Sequence, residues 1–170
     1  MSRIVADLLE ALLQIKALAE TPARVGKLLD STDSRLWKVR RAQAERSPVE
    51  ILAHLADAEA VFCLSIRLVL TRERPSLPVV GHGAQAEPLG PLEPTTVIAL
   101  DRFTTRRRES LALLSACSAA QLERGGIHPA RKLVSLADLV AIMLAHDTDH
   151  LGQIMERLGS GCGGSAARSG

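Results

Sequence analysis

The sequence predicts an all-α chain, a four-helix bundle, on three observations. Apolar residues recur at helical spacing in four long stretches. Two of those stretches open on serine-led capping signals. No run alternates apolar and polar residues in the manner of a strand. The chain has 170 residues, 46% of them hydrophobic and 24% charged, values typical of one ordinary globular domain. A chain of this size buries roughly 70% of its unfolded surface, so a core needs no disulfides.

The first helix is expected from about Ser2 to Leu29, where Val5, Leu8, Leu9, Leu12, Ile15 and Leu18 repeat at helical spacing. Pro22 predicts a kink or a restart within it. The second has the clearest start. Ser47 stands at the cap, Pro48 at the first helical position and Glu50 where a capping box needs a carboxylate. It should run to about Leu70, burying Ile51, Leu55, Ala58, Phe62, Ile66 and Val69.

The third helix is expected over about Thr95 to Ala116, with Val97, Ile98, Phe103, Leu111 and Leu114 inward. The fourth starts at Ser135, with Asp138 completing a second capping box, and continues to about Leu158 before Gly159. Between the second and third lies a segment, about Thr71 to Pro94, that holds five of the eight prolines. It is too long for a tight turn, which predicts a long crossover or a cover over a site. Gly125 to Lys132 reads as a second loop. The bundle domain should therefore span residues 1–158, followed by a flexible Gly/Ser-rich tail at 159–170.

Composition excludes several functions. The balance of 21 Lys+Arg against 19 Asp+Glu leaves no basic footprint for nucleic acid. One Trp, two Phe and no Tyr cannot build a row of base-stacking platforms. The apolar stretch from Ile4 to Leu18 is interrupted by Asp7, Glu10 and Lys16, so it resembles neither a signal peptide nor a membrane span. Cys63, Cys117 and Cys162 are odd in number and widely spaced, which suits free thiols in a reducing cytoplasm.

The five histidines carry the chemistry. His146 and His150 lie at i and i+4 on the last helix, about one turn apart, where two imidazoles reach one ion. At about 100° per residue from Met143, they fall near −60° and −20°, within the stripe that includes Leu139 and Ile154. Such a pair on an arbitrary helix is more often solvated than ligating. Here it points inward. His54 lies near −60° from Ile51, on the flank of the second helix's apolar face. A lone histidine there is usually a satisfied core-edge residue. Three imidazoles buried together without partners would be costly, and a shared divalent ion supplies the partner. Three neutral histidines with an open position make a catalytic type of site, because structural sites are usually closed by four protein ligands.

The motifs HLADAE at 54–59 and HDTDHLGQI at 146–154, the latter preceded by SLADLVAIMLA, resemble those of the DinB/YfiT-like metalloprotein superfamily. So does Gly126-Ile127-His128-Pro129 before the last helix. The resemblance covers about residues 5–157. It implies a four-helix bundle with a long crossover between helices two and three, and a divalent metal, Zn or Ni, held by His54, His146 and His150. It also implies low-molecular-weight thiols such as bacillithiol or mycothiol as co-substrates, in S-transfer or isomerisation, and a homodimer. Asp149, where members often carry a histidine or another polar residue, falls off the core face and is not counted as a ligand.

Asp57, Asp147 and Gln153 are candidates to accept the second N–H of a ligand imidazole, or else are ordinary surface or packing residues. His82 and His128 lie in expected loops, where exposure is the simpler reading and facing the open metal position the alternative. Arg40-Arg41 and Arg106-Arg107-Arg108 read as solvated faces rather than anion sites. Cys63, more than two turns beyond His54, reads as a small buried hydrophobe. Three functions stay open: a metal-dependent enzyme acting on a small molecule, a metal-binding stress-response or binding protein without turnover, and a helical dimerisation module.

Overall fold

The computed structural model describes residues 3–79 and 95–159, with side chains from Leu8 onward. His82, most of the proline-rich crossover and the tail after Gly159 lie outside the described residues. In chain order come α1 (Arg3–Ser31), a 3-10 turn (Leu36–Lys38), α2 (Pro48–Thr71), α3 (Thr96–Ser115), a short α4 (Ala119–Leu122), β1 (Gly125–His128), β2 (Lys132–Ser135) and α5 (Leu136–Gly159). The helices α1, α2, α3 and α5 form the bundle.

Their ends are set locally. The Glu50 carboxylate accepts the Ser47 N–H and hydroxyl, each at 2.8 Å, and so fixes the start of α2. At α5 the Asp138 carboxylate accepts the Ser135 N–H at 2.9 Å, and the Ser135 hydroxyl accepts the Asp138 N–H at 3.0 Å. The Thr95 hydroxyl caps α3 by accepting the Ile98 N–H at 3.3 Å. α1 continues through Pro22 as one helix rather than restarting there. The proline costs one helical hydrogen bond, the one to the Leu18 carbonyl, which accepts from Arg107 instead.

Two apolar clusters define the helix directions. One joins Ala11, Ile15 and Leu18 of α1 to Phe62, Ile66 and Val69 of α2, Leu114 of α3 and Leu136 to Met143 of α5. The other joins Val25 to Trp37, the start of α2, Ala99 and Phe103 of α3 and Leu151 to Leu158 of α5. The starts of α2 and α3 therefore share one end of the bundle with the end of α1. α2 and α3 run parallel, and α1 and α5 run parallel to each other in the opposite sense. A parallel pair cannot be joined by a tight turn. The chain between Thr71 and Thr96 has to return the length of α3, about 30 Å, which is why the crossover is long. Around the bundle α2 packs on α3 and α5, and α1 packs on α5 and α3.

Three more expectations are corrected. Val97 and Ile98 are 69% and 49% exposed, because at about 100° per residue they fall near 120° and −140° from Phe103, on the face opposite the buried stripe of Ala99, Phe103, Ser110 and Leu114. Gly125 to Lys132 is not a plain loop, and the chain does contain strands. β1 and β2 form an antiparallel hairpin, with Gly126 opposite Val134. The Ile127 N–H donates to the Pro75 carbonyl at 2.7 Å and the Leu77 N–H to the Ile127 carbonyl at 2.9 Å. Gly126 permits that approach, since a Cβ there would stand 2.5 Å from the Leu77 side chain. The arginine run 106–108 is not wholly solvated, because Arg107 is 2% exposed.

Candidate metal centre

The two apolar clusters meet at a polar layer, and the histidines stand at its α2–α5 edge. His54 comes from α2, and His146 and His150 from successive turns of α5. All three are half-buried, and one nitrogen from each lies within 4.8 Å of the other two. Ring centroids are 4.4 Å apart for His146 and His150, 4.8 Å for His54 and His150, and 5.3 Å for His54 and His146. The Phe62 ring stands nearly perpendicular to that of His146, with 5.6 Å between centroids.

The donor set fits a divalent ion. Three nitrogens at 2.0–2.1 Å from a tetrahedral ion lie about 3.3 Å apart, so side-chain shifts of at most about 1.5 Å complete the site. Burial holds the His150 pKa below the ordinary imidazole value, with a contribution from the charge of Arg46. The Gln153 hydrogen bond opposes that shift. The neutral imidazole is the form that binds metal. His150 Nδ1 lies 3.2 Å from Gln153 Oε1, so a proton on Nδ1 donates to the amide oxygen and leaves Nε2 for an ion.

The other two candidates, Asp57 and Asp147, have arginine partners. Asp57 accepts from Arg102 at 3.2 Å and from Arg106 at 3.1 Å. Asp147 is buried, and its two oxygens accept from Arg107 Nη1 and Nη2 at 2.7 and 2.9 Å. Its carboxylate orients a guanidinium rather than an imidazole. His128 is half-buried, and its Nδ1 accepts the Ala130 N–H within the hairpin turn. It is not among the residues gathered around the three-histidine cluster. Cys63 is buried, as a small apolar residue would be.

Sequence reasoning missed the centre of the polar layer. Arg107 Nη2 donates to Glu59 at 2.6 Å, and Nη1 donates to the Leu18 carbonyl at 2.9 Å as well as to Asp147. One guanidinium on α3 thus holds α1, α2 and α5. Burial opposes its charge, but the hydrogen bonds and charges of Asp147 and Glu59 outweigh that and raise its pKa. Its Cζ also stands 4.9 Å from the centre of the Phe103 ring. A signal was present. Phe103, Arg107, Ser110 and Leu114 repeat at helical spacing, so a charge sat within an apolar stripe. Glu59 sits likewise between Leu55 and Phe62.

A parallel-paired helical bundle with three histidines converging from two helices defines a class of metal-binding bundle. The DinB superfamily matches residues 17–154, and the chain belongs to that family. The fold is shared with YfiT from Bacillus subtilis, described as a probable metal-dependent hydrolase with an unusual four-helix bundle topology. That structure aligns with a TM-score of 0.72 at 18% identity, covering 94% of this chain and 90% of that one. No curated protein sequence matches the chain. Among the described residues no helix is long and apolar enough to cross a membrane.

Proposed function

We propose that the protein is a metal-dependent enzyme acting on a small molecule, with Zn or Ni held by His54, His146 and His150. The observation that carries this reading is the convergence of three half-buried imidazoles from α2 and α5 on one point. Three neutral ligands leave a coordination position for an exogenous group. When bound there, a divalent ion supplies Lewis-acid chemistry and lowers the pKa of a thiol or water in that position.

The chain's own residues do the remainder. His54, His146 and His150 present nitrogen lone pairs, and Gln153 fixes the ring of His150. Phe62 shields one side of His146 from water. Arg46 places a positive charge close enough to be felt by His150, which favours an anionic nucleophile or substrate group. The substrate we propose is an electrophile attacked by a low-molecular-weight thiolate. Its sulfur forms the new bond to carbon, the leaving group departs with the electron pair, and the thiol proton goes to solvent. Hydrolysis is the second reading, favoured by the description of the YfiT fold relative, with water in place of the thiol.

The test starts with elemental analysis of the purified protein, then assays the zinc- and nickel-loaded forms. Mycothiol, bacillithiol and cysteine are offered with a bromobimane electrophile, and p-nitrophenyl acetate is offered without thiol. Thiol transfer above the uncatalysed rate, lost in His146→Ala, supports the first reading. Ester cleavage alone supports the second. Metal binding with neither activity leaves a binding protein.

A further inference from the structure

The proposed metal chemistry makes no direct use of the buried cluster around Arg107. Its placement is nonetheless specific. Glu59 is on α2, five residues beyond His54, and Asp147 is on α5, adjacent to His146. Both helices that carry ligands are thus gripped by one side chain from α3, a helix that supplies none of the three histidines. Glu59, Arg107 and Asp147 are 1%, 2% and 2% exposed, so the grip operates without water screening. Arg107's fork is rigid and planar, which makes it a gauge of distance and angle rather than a flexible tether.

The cluster also has a charge. One guanidinium faces two carboxylates, a formal −1 from +1 and −2. Three neutral imidazoles bring no charge to offset a divalent ion, and Asp147 is the residue next to His146 in α5. Oε1 of Glu59 is buried with no hydrogen-bond partner among the described residues, so Arg107 satisfies only one oxygen of that carboxylate.

We propose that Glu59, Arg107 and Asp147 are the positioning residues of the metal centre: they set the separation of α2 and α5 at the three histidines and supply counter-charge for a divalent ion. The inference rests on the metal-binding reading of that site. A packing role alone predicts a different result, because a buried ion triad can be replaced by apolar residues with little loss of stability.

The test uses the full chain and Zn²⁺ alone. Affinity is measured by competition with a chromophoric chelator, in samples shown by circular dichroism to be folded. The charge-free variant is Glu59→Leu/Arg107→Met/Asp147→Leu with Pro22→Ala, the last returning an amide to the Leu18 carbonyl. It is expected to unfold cooperatively near the wild-type temperature yet bind Zn²⁺ about 10–100-fold more weakly, the loss typical when groups supporting metal ligands are removed. Its Co²⁺ form should show altered d–d bands. Asp147→Asn, a milder variant that keeps the Glu59–Arg107 pair, should lose about 10-fold.

Leu122→Ala, a core truncation on α4, should lower the melting temperature and leave affinity unchanged. Wild-type affinity in Asp147→Asn or in the charge-free variant would overturn the proposal. So would an equal loss in Leu122→Ala. Failure of the wild-type protein to bind Zn²⁺ would instead remove the metal reading on which the inference rests.

Discussion

Arg107 of α3 donates to the carbonyl of Leu18 at 2.9 Å, and the residue whose amide would serve that carbonyl in an unbroken helix is Pro22. Proline has no N–H, so α1 carries an unmet acceptor in its interior. The buried guanidinium meets it. The missing amide of Pro22 and the buried guanidinium of Arg107 are two halves of one contact.

That contact predicts a coupling. Arg107→Met should cost about 3–5 kcal/mol, because it strands two buried carboxylates. Pro22→Ala should recover about 1 kcal/mol more in that background than in the wild type, since the new amide then has an unserved carbonyl. Urea denaturation of the four proteins in the double-mutant cycle measures it. A coupling energy of zero would show that Pro22 and Arg107 act independently.

The ligand histidines should be separable from stability. His54→Ala, His146→Ala and His150→Ala are each expected to lower Zn²⁺ affinity by at least about 100-fold, at or beyond the upper end of the loss seen for supporting groups. Zinc should raise the melting temperature of the wild type and leave those of the variants nearly unchanged. Differential scanning calorimetry with and without zinc checks this.

Gln153 has a narrower task. Gln153→Ala removes the acceptor for His150 Nδ1–H and should weaken zinc binding about 10-fold. Gln153→Glu keeps an acceptor and strengthens it, so zinc should bind at least as tightly as to the wild type. Equal losses in both variants would mean that the bond to His150 is incidental.

Acid should destabilise the metal-free protein through His150. Burial depresses its folded pKa, so the unfolded chain takes up this proton first as pH falls. The contribution is complete above about pH 6.5, the unfolded value, and is lost as pH falls through the depressed folded value. In His150→Gln the melting temperature should fall less between about pH 7 and 5 than in the wild type. Parallel curves for the two proteins would contradict the assignment.

The bundle was legible because its signals are local. Ser47 with Glu50 and Ser135 with Asp138 mark helix starts through contacts three residues apart. The i, i+4 spacing of His146 and His150 states its own geometry. The hairpin was not legible, since a four-residue strand opening on Gly125-Gly126 has no alternation to read, and it is held partly by Pro75 and Leu77 about fifty residues earlier. The Arg107 cluster was hidden for a related reason. Each charge taken alone reads as solvated, and only the packing of all four long helices brings the three together.

The central claim is a metal site built by three named histidines, and stoichiometry tests it most directly. Protein purified from cells without added metal, then titrated with Zn²⁺ at neutral pH and assayed by elemental analysis, should bind one ion per chain. His146→Ala, folded by circular dichroism, should retain none after desalting. A wild type that takes up no ion, or a His146→Ala protein that keeps a full equivalent, would contradict the account.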